Sequence, residues 1–367
     1  MFAQATFELK PVAMKTLIIT LLLCISIGSV SAQRKLAHYF PGAHGSGKAD
    51  VEQLIDNFIQ PLGVDISVLP NNGWYSTAKT HKRWGFDLSV TVNSVFVTNE
   101  DKFYSFPSNL STIDFQTTNK GSTTIPTVYG PESENPLFEI LSGPNVGVRY
   151  QGADGFDPAS EYFMEVQPIY TIQGGLGIFK NTDLRFRFTP QTTISSVEFG
   201  NWGVGLMHDV KQYITGATDN KFAISVFAGY TQINGAVDLS GIYSGSDQEA
   251  KVSASGFTGQ AIVSKEFGII TLYGALGYDT GNTTIDINGT YNVDSYIDAD
   301  FGDKIALPQT FTLTDPFAYE YKKSGMRFTG GLRFRFGPVT LNGDYSFVGD
   351  KQVLTLGLGF LTDAKRD

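Results

Sequence analysis

Between residues 84 and 93 the chain reads Trp84-Gly85-Phe86-Asp87-Leu88-Ser89-Val90-Thr91-Val92-Asn93, with apolar side chains on even positions and polar residues or glycine on odd ones. This alternation constrains the fold more than any other feature, because a period of two is the repeat of a β-strand whose faces meet different surroundings. The pattern recurs at 184–188, 222–226 and 270–279, and three more times near the end, at 326–336, 339–347 and 354–360.

Alternation alone also suits a soluble β-sandwich, so strand length and composition must decide. A tilted strand crosses a bilayer in about 9–11 residues, whereas strands of ordinary globular sheets average about 5–6. The runs here are of spanning length. Charged residues make up 17% of the chain, below the usual ~25%, while Gly (40 residues) and Phe (28) are abundant. Aromatics near strand ends (Trp84, Tyr230, Phe336, Tyr345, Phe347, Phe360) match the interfacial girdle of a membrane barrel. An open sheet edge would leave amide groups unpaired in hydrocarbon, so the sheet must close. We therefore expect an all-β protein, an antiparallel transmembrane β-barrel of 12–14 strands. The runs lie near 84–98, 145–151, 162–173, 183–190, 196–207, 221–232, 236–243, 252–264, 269–279, 326–336, 339–348 and 352–361, with a further pair inside 283–313.

Ahead of the strands, Lys15 precedes an apolar run from Leu17 to Ile27 and then Val30-Ser31-Ala32 before Gln33, the layout of a secretory signal peptide over 1–32 with its true start at Met14. That run is shorter than the ~20 apolar residues of a spanning helix. The single cysteine, Cys24, lies inside it, and the bulky Leu23 in front argues against lipoprotein processing. Disulfides, thiolate catalysis and Cys-zinc sites are thus not expected in the exported chain. Removing 1–32 takes away Lys10, Lys15 and Glu8 and leaves the net charge one unit more negative than −9. An acidic chain of pI about 5.0 offers no cationic footprint for nucleic acid.

Within 49–59, Val51, Leu54, Ile55, Phe58 and Ile59 share one helical face, and Pro61 is expected to end the helix. Residues 33–83 are thus read as a short helical plug or hatch segment, with Leu54, Ile55 and Phe58 as its apolar anchors; a helix lying on the periplasmic rim is the alternative. The barrel follows over 84–361 and a periplasmic tail over 362–367. Connections at 265–268 and 336–339 are tight, whereas 99–144, 235–250 and 280–325 read as long loops. Outer-membrane barrels keep short turns inside and long loops outside.

The order of signal peptide, N-terminal helix and barrel resembles the outer-membrane long-chain fatty-acid transporter superfamily, which implies a hatch inside the barrel and passage of hydrophobic molecules. No ligand-contacting motif of that superfamily matches, and its terminal aromatic corresponds to Phe360, with seven residues after it. Asn72-Gly73-Trp74-Tyr75-Ser76-Thr77-Ala78-Lys79 leading into Trp84-Gly85-Phe86-Asp87, and Gly203-Val204-Gly205-Leu206-Met207-His208-Asp209-Val210-Lys211-Gln212-Tyr213 followed by Phe227-Ala228-Gly229-Tyr230-Thr231, resemble an uncharacterised Bacteroidota-type family of exported barrels. That resemblance covers most of 33–361 and implies a location in the bacterial outer membrane.

Strand parity nominates the lumenal residues. Asp87, Arg185, Arg187, Arg327, Arg333 and Arg335 occupy odd positions, and Asp344 lies on a strand of reversed parity. Their bland role is an ion-pair ladder with Asp87, Asp344 and Glu198; their functional role is to meet an anionic group such as a fatty-acid carboxylate. Gly42-Ala43-His44-Gly45-Ser46-Gly47-Lys48 fits the phosphate-loop pattern, but Ala49 replaces the magnesium-holding hydroxyl residue and no strand precedes it. His38, His44, His81 and His208 show no metal-ligand spacing. A barrel phospholipase would need Ser and His together on the lipid face; His208 shares the outward parity and Ser225 does not. Acidic residues between Asp286 and Asp315, above all Asp298-Ala299-Asp300-Phe301-Gly302-Asp303, offer oxygen ligands for calcium without the distal Glu of an EF-hand. The resulting expectation is a non-enzymatic barrel without cofactor or metal, passing small hydrophobic or amphipathic molecules. A structural or adhesion barrel and a lipid-modifying enzyme are the alternatives. Its expected partners are outer-membrane lipids, the barrel-assembly machinery and hydrophobic small-molecule cargo.

Overall fold

The computed structural model describes residues 35–143, 146–161, 166–194, 197–214, 221–241, 243–298 and 304–362. The signal peptide and the tail after 362 lie outside the described residues. Ten antiparallel strands close into a ring: β1 (Phe86–Phe96), β7 (Val166–Gly177), β8 (Thr182–Ile194), β9 (Val197–Asp209), β10 (Phe222–Asp238), β11 (Ser244–Phe267), β12 (Ile270–Asp298), β14 (Phe317–Phe336), β15 (Val339–Val348) and β16 (Lys351–Thr362). Pairing of β11 with β12 and of β16 with β1 leaves neither end of the sheet free. Strand β13 (Lys304–Thr314) pairs only with the far half of β12. The connection from β1 to β7 carries the short strands β2 (Phe103–Tyr104), β3 (Ile113–Thr118), β4 (Ile125–Pro126), β5 (Pro136–Ile140) and β6 (Arg149–Gln151), and a helical turn at Pro158–Glu161.

Ring closure and antiparallel order agree with the sequence reading, but the ring holds ten strands among the described residues, not 12–14. The surplus has three sources. Asn234-Gly235 looks like a turn, yet Asn234 pairs with Gly200 and Gly235 with Phe199, so 221–232 and 236–243 merge into β10. The run at 145–151 contributes only β6, which pairs with β5 outside the ring. The pair inside 283–313 is the extension of β12 together with β13, so 280–325 is mostly an extended hairpin. For the same reason the 235–250 loop shrinks to the turn between Asp238 and Ser244.

Outward-facing side chains form an apolar belt that includes Leu88, Phe188, Trp202, Leu272, Phe328 and Leu358, all about half exposed or more. Above it the same outward positions turn polar. On β14, Met326, Phe328, Leu332, Phe334 and Phe336 give way to Glu320 and Lys322, which form an exposed ion pair. The belt thus covers about the 9–11 residues needed to cross hydrocarbon, and longer strands project beyond it. Glycines in the left-handed region, Gly268 (φ 64°) and Gly337 (φ 62°), make the tight turns at one end of the ring, here the turn end. The β1–β7 connection and the β12–β13 hairpin stand at the opposite, loop end.

Among the described residues the wall is thinnest in its ladder between β7 and β8. The ladder between β7 and β8 runs where Gln173–Gly177 faces Asp183–Arg187; toward the loop end β7 continues its ladder with β1 and β8 with β9. Pro168 and Pro190 lie where β7 and β8 do not ladder with each other, and neither supplies a backbone N–H donor.

Helix α1 (Gly47–Val68) follows a short 3-10 helix, Leu36–Gly42, and runs through Pro61. The expected stop at Pro61 fails because the next turns are held from outside: Gly63 lies flat against the Tyr321 ring, and Asp65 meets Lys351. Leu54, Ile55 and Phe58 are fully buried in a core that also takes Phe40 from the 3-10 helix, Phe138 and Tyr150 from the β1–β7 connection, and Tyr291 and Phe317 from the strand extensions.

Candidate functional site

From α1 the chain descends through the ring to the turn end, where Gly85 leads into β1. The inward residues it meets trace this path. Tyr319 and Tyr321 donate to the Glu52 carbonyl and to Asp56 (3.1 and 2.7 Å) at the loop end. Tyr75 bonds Gln260, Thr77 lies 3.1 Å from Ser264, and Lys79 reaches Glu266 (3.0 Å) at the turn end. Residues 69–81 touch side chains that face the interior of the ring, whereas α1 itself packs among the loop-end elements.

Residues 72–83 have no regular secondary structure, so their carbonyls need donors from elsewhere. The barrel wall supplies them. Arg187 donates to the carbonyls of Pro70 (2.8 Å) and Asn72, Gln173 to Gly73 (2.6 Å), Arg185 to Trp74 (2.9 Å) and Ser225 to Ala78 (2.5 Å). The Arg187 guanidinium also lies 3.6 Å from the centroid of the buried Trp74 ring, and no carboxylate pairs with it among the described residues. Cation–π attraction and carbonyl dipoles together stand in for a counter-ion. Gly203, Gly205 and Gly229 face inward around the indole, and a Cβ on any of them would come within 3.2 Å of it. Part of the glycine excess is therefore room for Trp74.

The other nominated residues separate by level. Arg327 donates to Asp279 (2.7 Å) and to the Asn72 side chain (2.6 Å), and Thr258 completes Asp279 (2.6 Å). Asp344 accepts from Tyr273 (2.9 Å). Arg185 sits 3.8 Å from Asp87 and 3.6 Å from Asp183, which also takes the His81 backbone N–H. Arg333 and Arg335 stand at the turn end. Glu198 is remote from all five arginines, in a surface recess with Asp238, Asp247 and Glu249. Arg185, Arg187 and Arg327 are thus partnered chiefly by residues 70–74, with Asp279 and Asp183 as close acids beside Asp87, rather than Asp344 and Glu198. Both aspartates share the inward parity of their strands, a signal available in the alternation itself. The contacts of Asn72 and the Asp65–Lys351 pair had no such signal.

Lys351 bridges Asp65 of α1 (2.8 Å) and Asp101 of the β1–β7 connection (3.0 Å). Burial pushes the Asp65 carboxyl up to about 6, against the opposing pull of the Lys351 ammonium.

At the turn end the descending segment leaves a polar cavity of about 180 Å³ between itself and the β14–β16 and β1 wall. Arg185, Arg333, Arg335, Lys79, Lys82 and His81 line it together with Asp87, Glu266, Thr340 and Asn342. Deeper in, the Trp74, Phe227 and Tyr273 cluster fills the cross-section, and above it Val68 and Leu69 pack on Val95 and Ile233.

The decoys resolve structurally. Gly42–Lys48 joins a 3-10 helix to α1, with the His44 ring edge-on to Phe311 at 4.7 Å. His208 is held by Thr182 (2.7 Å) and Tyr213 (3.1 Å) outside the ring, while Ser225 is bound within it. Asp294 accepts from Thr310 and Asp315 from the Gly289 N–H; residues 299–303 lie outside the described residues. Among the described residues no group of three His, Cys, Asp or Glu is placed to hold a metal.

A family model described as "Family of unknown function (DUF6588)" matches residues 14–362. No curated protein matches the chain. Similar solved structures include the outer membrane protease OmpT of Escherichia coli (7% identity, 76% of this chain and 97% of that one, TM-score 0.30). Ail, the attachment invasion locus protein of Yersinia pestis, matches with 14% identity over 49% of this chain and 93% of its own, TM-score 0.23. A Pseudomonas aeruginosa FadL homologue matches with 9% identity over 83% and 98%, TM-score 0.22. At these TM-scores the likeness carries no argument about function.

Proposed function

The chain belongs to this family of unknown function, DUF6588, and we propose that it is a bacterial outer-membrane barrel that is sealed at rest and acts as a rigid platform for its loop-end cap. The observation that carries this reading is the continuous apolar core joining α1, the β1–β7 connection and the strand extensions. A core of that kind excludes water and fixes the cap to the barrel as one body. Its loop end would face outward by the loop-length rule, and the apolar belt would sit in lipid. The chain's partners would then be outer-membrane lipids, the barrel-assembly machinery and whatever docks on the cap. No catalytic step enters this reading, which the separation of His208 from Ser225 supports.

Planar-bilayer recording of the refolded protein tests it. We expect no steady conductance from the full chain and a stable pore when residues 35–83 are deleted. Steady conductance in the full chain would refute the sealed state.

A second reading, passive passage of small hydrophobic or amphipathic molecules, is favoured by the short ladder between β7 and β8. A short ladder between two neighbouring strands is the weakest seam of the wall, and a lateral breach there offers an apolar molecule a way past the N-terminal segment. The polar turn-end cavity gives such cargo no continuous apolar route. Liposome uptake of a fluorescent fatty acid, abolished by a disulfide introduced across the β7–β8 seam, would establish this reading; absent uptake would remove it.

A further inference from the structure

We propose that the turn-end cavity is a binding site for an oxyanion, as a free phosphate-type anion or as the head of a lipid. The cavity is lined by five cationic side chains against two carboxylates. Most of these charges have partners. Lys79 is tied to Glu266 at 3.0 Å, Arg185 shares Asp87 and Asp183, and Arg335 donates its Nε to the Gly337 carbonyl. Arg333 is different. Its residue is only 8% exposed, its Nε is buried with no hydrogen-bond partner among the described residues, and the carboxylates of Glu266 and Asp87 reach it only at longer range, through their charge.

An arginine stays protonated at any accessible pH, so a buried Nε–H without an acceptor is costly unless something supplies one. Arg333 lines the cavity, so an acceptor can reach it from there. On either side of Arg333, the neighbouring strands place Asn342 and Thr271 in register with it, and Thr340 faces Arg335. Asn342 and Thr340 also line the cavity and add an amide and a hydroxyl beside the guanidinium fork. That combination suits the several oxygens of a phosphate or sulfate group. A cavity of about 180 Å³ has room for such a group with some of its hydration. The cavity opens past the exposed Lys79 and Lys82, whose charge raises the local anion concentration. The inference stands whether or not the lumen ever opens.

Calorimetric titration of the full mature chain in detergent micelles at low ionic strength tests it, with inorganic phosphate and dihexanoyl phosphatidic acid as probes. Saturable one-to-one binding is expected, weakened at least tenfold by Arg333→Gln, partly restored by Arg333→Lys and unchanged by Arg149→Gln on the cap. Tighter binding of the phosphatidic acid identifies a lipid head as the source; equal binding identifies the free anion. Absence of saturable binding of either probe, or unchanged affinity in a folded Arg333→Gln protein, overturns the proposal. If that variant fails to fold, Thr340→Val takes its place, with several-fold weakening expected and unchanged affinity overturning the site.

Discussion

The two ends of the lumen are filled by different chemistry. Toward the loop end, α1 is held by burial: Phe58, Leu54 and Ile55 have no exposed surface and touch residues from three parts of the chain. Toward the turn end, an irregular segment is held by hydrogen bonds from Arg187, Arg185, Gln173 and Ser225 to its carbonyls. Burial is non-directional and stabilises in proportion to area, so the upper half contributes rigidity. Hydrogen bonds are directional and contribute little net free energy each, yet leaving one end unmade is expensive. The lower half therefore specifies one path for the plug more than it strengthens it.

Four measurements would break or sharpen this contrast. Phe58→Ala should cost about 3–5 kcal/mol, seen as a lowered urea midpoint and earlier proteolysis of residues 97–165, with the ring still resistant to SDS at room temperature. Simultaneous loss of ring and cap would mean that the apolar half is not separable. Arg327→Met leaves Asp279 buried with only Thr258 to satisfy it, and should cost about 3 kcal/mol in the same urea titration. A cost near zero would show that the lower half contributes neither strength nor specificity.

The third concerns pH. The Asp65 carboxyl titrates near 6 in the fold against 3.8 as its ordinary value. The native state therefore holds this proton more tightly than the unfolded chain. The stability it contributes is fully present below pH 3.8 and is lost as pH rises through 6, an effect on the order of 3 kcal/mol. Asp65→Asn should flatten that part of the stability profile; an unchanged slope would place the titration elsewhere. The smallest expected effect is that of Tyr321→Phe, which removes the hydrogen bond to Asp56 at about 1 kcal/mol in the urea titration. A loss as large as that of Phe58→Ala would mean that the upper half also depends on directional bonds.

Much of this was legible in the alternation. Period two placed Arg185, Arg187, Arg327 and Arg333 inside, Phe186, Phe328 and Leu358 outside, and reversed the parity correctly for Asp344. It also kept Ser225 away from His208. Strand number was less legible, because Asn234-Gly235 has turn chemistry but is overruled by ladders on both sides. Pro61 misled in the same way: its local penalty is real, yet Tyr321 and Lys351 hold the helix beyond it.

What the order of residues settles is which side of each strand faces outward and which faces the interior, since facing is a property of adjacent positions and needs no partner. Which interior groups meet is another matter. Asn72 with Arg327, Trp74 with Arg187, and Asp65 with Lys351 are far apart in the chain, and only ring closure around a threaded segment sets their distances. The unsatisfied Nε of Arg333 is of this second kind, because a donor is left without an acceptor only after every neighbour has been placed.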